Sequence, residues 1–324
     1  MPSFPKPKFP YTVDLVKEIK ALRKYRDSKD ELKIPPSTRK NLRVATWNVA
    51  NLGAQEREDD HLEIIAEILS WFDIITVQEV KENSEHFQKI VSFMGKRYKF
   101  IFSDEGGNNE RITFIYNSRK ISLLQEVAEL GIPPSEFSSI KITGIGETFQ
   151  GFDRSPYMAS FRTGKFEFTL LGVHLYFGSD TEEKSINRRC LEAYCVGRWA
   201  DLRGRSKYTF NSIKNIFALG DFNLPMLDEN DKIYKALVAR GLQLPTHTSK
   251  VYSNISNDKM YDQIAFLPDS KTRIISHGVF PFDNAIFADI YQNKTAAEFK
   301  GYIKYYISDH RPMWMELNTE ELPS

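Results

Sequence analysis

Recurring apolar runs of strand length, interleaved with helical stripes, predict an α/β (α+β) fold: two packed, mostly antiparallel β-sheets with helices outside. Two observations carry this. The runs continue from Leu42 to Leu317 with no internal repeat and no linker. Six of them also stop or start at an acid, an amide or a histidine. A sheet delivers polar side chains to one rim in that way.

Residues 1–40 read as an extension. Pro2, Pro5, Pro7 and Pro10 prevent regular structure at the start. Leu15, Ile19 and Leu22 then form the stripe of one basic helix, and Lys33 to Lys40, with Pro35-Pro36, reads as a linker. A helix packed on the outside of the domain is expected, with a separate binding arm as the competing reading. No candidate catalytic group lies there, so the extension is expected to be dispensable for chemistry. Residues 41–320 read as one domain and 321–324 as a tail.

Within the domain the first strand runs from Leu42 to Asn48. Asp59 or Asp60 caps a helix carrying Leu62, Ile65, Ala66 and Leu69 on one face. Strand 73–78 follows, then a helix near 84–95 behind an Asn83 cap. Strands are expected at 98–103, 111–117, 121–127, 157–162 and 166–174. A helix over 183–202, a strand over 215–220 and a helix over 231–240, stopped by Gly241, come next. Strands at 261–267, 272–279 and 312–318 complete the set, with no element assigned between 280 and 311.

At 324 residues and 41% apolar content the chain can bury a large core. Lys+Arg 44 against Asp+Glu 43 leaves a formal charge of +1, so no global polycation announces nucleic acid. A basic lining on one face would suffice, and the balance therefore decides nothing. Cys190 and Cys195 lie five apart in one predicted helix, off a common face, so no disulfide joins them. No run approaches the roughly 18 apolar residues of a membrane span, and Met1 to Pro10 holds no apolar signal region. A cytoplasmic setting without a membrane partner is expected, and no protein partner is implied.

The polar run ends point to phosphate ester hydrolysis. Glu79 is the first acid after the apolar Ile74–Val77, and Asn48 holds the corresponding place on its own strand. Both suit a hard cation such as Mg²⁺, which takes oxygen ligands; residues merely starting loops are the alternative. His174 ends Leu170-Leu171-Gly172-Val173, and His310 stands just before the last strand. Imidazoles there can activate water and protonate a leaving oxygen. A buried structural histidine is the competing reading for each. Asp309 can face away from its neighbour His310, so Asp262 is expected to orient one imidazole and Asp221 the other. Asn223 shares the Gly220-Asp221-Phe222-Asn223 turn and can donate to a phosphate oxygen. Arg154 and Arg111 suit phosphate binding, with Glu110 beside a histidine; surface ion pairing competes for both arginines. Arg188, Arg189, Arg198, Arg203, Arg205 and Lys207 are read as a solvated helix face, with a nucleic-acid contact as the competing role.

These segments resemble the endonuclease/exonuclease/phosphatase superfamily, and most of all deoxyribonuclease I, from about Leu42 to Leu317. The resemblance is carried by Trp47-Asn48-Val49, Gln78-Glu79-Val80, Glu110-Arg111, Arg154-Ser155-Pro156, Val173-His174, Gly220-Asp221-Phe222-Asn223, Tyr261-Asp262-Gln263-Ile264 and Ser308-Asp309-His310. It implies a four-layered α/β sandwich and Mg²⁺ (or Mn²⁺) at Asn48, Glu79 and Asp309. It also implies His174 and His310 as acid and base, oriented by Glu110 and Asp262. Asp221 and Asn223 would sit around the scissile phosphate, with Arg154 binding it. The expected activity is a metal-dependent endonuclease that hydrolyses DNA by in-line attack of water. A phosphatase or phosphodiesterase acting on a small or lipid-headgroup substrate is the alternative, and a non-catalytic binding domain the third reading. Lys81 and Asn108 stand where the resemblance places an arginine and a tyrosine that touch the DNA minor groove.

Overall fold

Side chains from the inner faces of two sheets fill the space between them, and that shared layer sets the architecture. The computed structural model describes residues 4–28, 33–207, 213–245 and 251–320. Pro2 and the tail expected at 321–324 lie outside the described residues. One six-stranded sheet holds β1 (Asn41–Leu52), β2 (Ile74–Lys81), β3 (Tyr98–Phe102), β4 (Glu110–Asn117), β10 (Ile274–Val279) and β11 (Met313–Asn318). Its order is β10-β11-β1-β2-β4-β3. The second, five-stranded sheet runs β5 (Ser122–Glu129), β6 (Tyr157–Thr163), β7 (Phe166–His174), β8 (Ile216–Asp221), β9 (Asp262–Phe266) in chain order.

Val44, Ile74, Phe114, Phe161, Phe168, Leu219, Ile264 and Met315 pack between the sheets. Full burial of each large member contributes on the order of 2 kcal/mol. Gly172 on β7 keeps the layers close, since a Cβ there would sit 2.7 Å from Ile112 Cγ2 and 2.9 Å from Thr76 Cγ2. Helices α1 (Leu15–Arg26), α2 (Asp59–Leu69), α3 (Glu85–Met94), α6 (Ala288–Asn293) and α7 (Ala296–Tyr306) cover the outside of the six-stranded sheet. Helices α4 (Glu183–Arg205) and α5 (Lys232–Val238) cover the other. The four layers expected from the resemblance are therefore present.

Helices α6 and α7 fill the stretch to which the sequence reading assigns no element. The signals are there: Thr295 and Glu298 form a reciprocal capping box, and Phe299, Tyr302, Ile303 and Tyr306 follow at helical spacing. Their aromatic character, more usual in strands, obscures the period. Caps also differ by a residue: Glu58 rather than Asp59 or Asp60 precedes α2, and Ser84 rather than Asn83 precedes α3. Asn83 still serves, its Oδ1 accepting the Glu85 N–H at 3.1 Å.

The N-terminal segment lies against α2, α6 and α7. Phe9 stacks on Tyr302 with ring centroids 5.8 Å apart, and Tyr11 meets Phe287 edge-on. Leu22 and Glu18 of α1 are buried, and Glu18 Oε2 accepts the Phe287 N–H at 2.7 Å.

His61 of α2 is the titratable centre of this region. It is buried, stacks on Tyr306 at 4.2 Å, and lies with Nε2 2.8 Å from the Tyr302 hydroxyl. Burial, with Arg57 nearby, pushes its pKa from 6.5 down to about 3. The unfolded chain takes up that proton near 6.5 while the folded chain does not. The contribution of neutral His61 is therefore complete above that pH and lost as pH falls toward 3, by up to ~1.4 kcal/mol per unit. Urea unfolding of wild type and His61→Gln across this range should show the shallower pH slope in the variant. Equal slopes would refute the assignment.

Candidate active site

The central pair in each sheet is parallel: β1 with β2 and β7 with β8, bridged by α2 and α4. Parallel strands end at the same edge, and ligands collect there in open α/β sheets. Asn48, Glu79, His174 and Asp221 lie at or near those four strand ends. Antiparallel neighbours begin where these strands end, so β4 starts with Glu110 and β9 with Asp262. The registers His174↔Asp221 and Asp221↔Asp262 place three candidates side by side.

Glu79 reaches the rim through a local irregularity. Pairing of β2 with β4 shifts between Val77 and Val80, and Glu79 takes φ 62. A non-glycine residue in that region costs about 1–3 kcal/mol. The turned carboxylate accepts Asn48 Nδ2 at 2.9 Å and the Asn51 N–H at 2.8 Å. Asn51 and Asn223 also have positive φ. Asp309 stands beside the cluster; burial raises its carboxyl, against the pull of His310 and with Glu79 reinforcing the rise.

Each histidine has its own carboxylate. His310 Nδ1 lies 2.7 Å from Asp262 Oδ2, and His174 Nδ1 lies 3.1 Å from Glu110 Oε2. Both remaining nitrogens face one oxygen, since Asp221 Oδ2 is 3.7 Å from His174 Nε2 and 3.8 Å from His310 Nε2. All five side chains are buried. Asp221 therefore stands between the imidazoles, and Glu110 takes the orienting place that the residue-level reading assigned to Asp221.

Electrostatics follow from this packing. Burial lowers the pKa of the His310 ring, but Asp262, Asp221 and Asp309 outweigh it and hold the ring well above the ordinary histidine value. Burial lifts Asp262 to about 6, still ionised at neutral pH, with His310 opposing. Burial also pushes Glu110 up, yet His174, Arg154 and Lys81 bring it down to about 2. Asp221 is lowered despite its burial, chiefly by the two histidines.

The arginines divide. Arg154 is buried, donates from Nε to the His174 carbonyl at 3.1 Å and from Nη1 to Asp153 at 2.7 Å, and lines the site. Arg111 instead bonds the Ser103 carbonyl and Glu105, each at 3.0 Å, away from the cluster. Asn223 Nδ2 donates to the Leu175 carbonyl at 2.7 Å. Arg189 does not lie on a solvated face: it is 1% exposed and binds the carbonyls of Asn223 and Ser179. The inward turn of α4 at that position puts it beneath the site. Lys81, which stands where the resemblance places a minor-groove arginine, contacts Glu110 at 2.8 Å. Glu79, Glu110, Arg154 and His174, with Asn108, Asp153 and Tyr176-Phe177-Gly178, line a cavity of about 270 Å³. Tyr176 and Phe177 escaped the sequence reading, although they directly follow the His174 motif.

No family model matches the sequence. A curated deoxyribonuclease of Thioalkalivibrio sp. (strain K90mix) is 25% identical, the match covering 87% of this chain and 72% of that protein. A mannosyl-6-phosphatase of Bacteroides thetaiotaomicron superposes with a TM-score of 0.56 at 19% identity, over 85% of this chain and 99% of that one. An endonuclease/exonuclease/phosphatase family protein of the same organism gives 0.55 at 18% identity, covering 89% and 100%. TDP2 of D. rerio, complexed with single strand DNA product, gives 0.56 at 15% identity, covering 86% and 99%. Among the described residues no helix is long and apolar enough to cross a membrane. The resemblance read from the sequence holds at the level of fold: the chain is built on the scaffold of the endonuclease/exonuclease/phosphatase proteins.

Proposed function

We propose that this chain is a divalent-metal-dependent hydrolase of phosphate esters whose substrate is DNA. The observation that carries the reading is the pair of carboxylate-held imidazoles converging on Asp221. With Nδ1 of each ring engaged, Nε2 is the nitrogen left to exchange a proton. One ring takes the proton of the attacking water and the other gives one to the leaving oxygen. Arg154 stabilises this arrangement through the His174 carbonyl and adds positive charge to the cavity wall. Burial of the cluster strengthens each of these interactions relative to water.

The residues present fit a hard cation. Among the described residues Asn48 Oδ1 is buried without a hydrogen-bond partner, and Glu79 and Asp309 are close enough for one charge to raise the other. Asn48, Glu79 and Asp309 would hold Mg²⁺ or Mn²⁺ through oxygen. Glu79, Glu110 and His174 also offer atoms within 4.8 Å of one another, as do Asp221, Asp262 and His310. Glu110 and Asp262 are already engaged by imidazoles, which favours an acid–base role for them. A bound divalent ion supplies positive charge that offsets the charge developing on phosphate.

DNA is supported by the curated relative named as a deoxyribonuclease. A small phosphate monoester is the second reading, favoured by the limited cavity and by the sugar phosphatase among the structural neighbours. Incubation with supercoiled plasmid, single-stranded DNA, RNA, inositol phosphates and mannose 6-phosphate separates the two. DNA should be hydrolysed with Mg²⁺ and spared with chelator. Release of phosphate from the sugar esters alone would transfer the assignment to the second reading.

Glu79→Gln tests the metal site. Mn²⁺ affinity, read by titration calorimetry, and metal-stimulated hydrolysis should both collapse while thermal unfolding stays nearly unchanged. Wild-type Mn²⁺ affinity in the variant would remove Glu79 from the site.

A further inference from the structure

The loop that follows His174 is held from below by two buried charged side chains of α4, Arg189 and Glu192. Arg189 lies beneath it, 1% exposed, with Nη2 donating to Ser179 O at 2.9 Å and Nη1 to Asn223 O at 3.1 Å. Glu192, also buried in α4, accepts the Tyr176 N–H at 2.9 Å and the Asp153 N–H at 3.1 Å. Burial pushes the Glu192 carboxyl up to about 7, so enclosing it carries a cost. Gly178 closes the turn at φ 63, where a Cβ would lie 2.4 Å from Ser185 Oγ and 2.6 Å from the Tyr176 ring.

This scaffold fixes two aromatic side chains at the site. Tyr176 and Phe177 line the same cavity as Glu79 and His174. The Arg188 guanidinium packs 4.1 Å from the centre of the Tyr176 ring, and that of Arg189 packs 5.1 Å from Phe177. Tyr261 continues the aromatic surface, 6.3 Å edge-on from Phe177 and 5.9 Å from the His310 ring. A rigid aromatic wall beside a phosphate site is suited to a planar ring one sugar away from that phosphate, because little entropy is lost on stacking. On the opposite account, Lys81 is tied to Glu110 and to the Asn108 carbonyl at 3.1 Å, and is only 14% exposed. The position that the resemblance assigns to minor-groove contact is thus engaged internally.

We propose that Tyr176 and Phe177 stack an unpaired nucleobase flanking the scissile phosphate, so that single-stranded DNA is preferred to intact duplex. The proposal rests on the nuclease reading above. Paired bases in a duplex already stack on one another and present no free face to the wall.

The test uses an oligonucleotide in which every linkage but one is an uncleavable methylphosphonate. The nucleotide beside the single phosphodiester carries either a base or an abasic spacer. Steady-state rates are measured for the full chain and for Phe177→Leu, which keeps apolar volume without a π face, and Phe177→Trp, which restores one. Wild type should cleave the single strand at least ~10-fold faster than its duplex. Phe177→Leu should raise KM on the base-bearing oligomer roughly 5–100-fold, with kcat little changed and the abasic oligomer unaffected. Phe177→Trp should recover wild-type KM. Equal losses on both oligomers, or none on either, would overturn the wall while leaving the nuclease reading intact. Failure of wild type to cleave any DNA would instead remove that reading, and the wall with it.

Discussion

A carboxylate shut away from water stays ionised only if opposite charge or hydrogen-bond donors are held against it, and Asp221 is that carboxylate. It is 1% exposed, yet its pKa is lowered, because two imidazoles face one of its oxygens at 3.7 and 3.8 Å. Those imidazoles in turn need carboxylates on their far nitrogens, which Glu110 and Asp262 provide. Removing one member leaves its neighbour buried and uncompensated, a loss of several kcal/mol for a group of this kind. The cluster is best described as one electrostatic unit.

Backbone topology brings that unit together. Two parallel pairs, one in each sheet, finish at a shared rim, and the antiparallel strands beside them begin there. Regular strands alone would not complete the site. The shift between Val77 and Val80 turns Glu79 toward Asn48, and Gly172 lets the sheets approach just below His174. Behind the rim, Arg57 binds the carbonyls of Tyr306 at 3.0 Å and Asn51 at 3.4 Å. It thereby ties the segment entering Asp309 to the one leaving Asn48.

Much of this was legible in the sequence because period-2 burial and abrupt polar run ends are local signals. Strand β7 ends at His174 and α4 starts at Glu183, as the pattern predicts. Roles set by long-range packing were less legible. Nothing near Arg189 in the chain distinguishes it from Arg188, which is 41% exposed at the side chain, since the difference is the helix face turned toward Asn223. Glu110 and Asp221 were likewise interchangeable as histidine partners until register placed Asp221 between both rings. The aromatic stripe of α7 was hidden by residues more common in strands.

The most direct measurement of the unit is the single-turnover rate of DNA cleavage by His174→Ala, His310→Ala and the double variant, with thermal unfolding read on the same samples. If the imidazoles act together on one phosphate, each single variant loses at least ~10²-fold, and the double is little worse than the poorer single. Folded His310→Ala turning over at the wild-type rate would contradict the account, as would losses that multiply in the double variant.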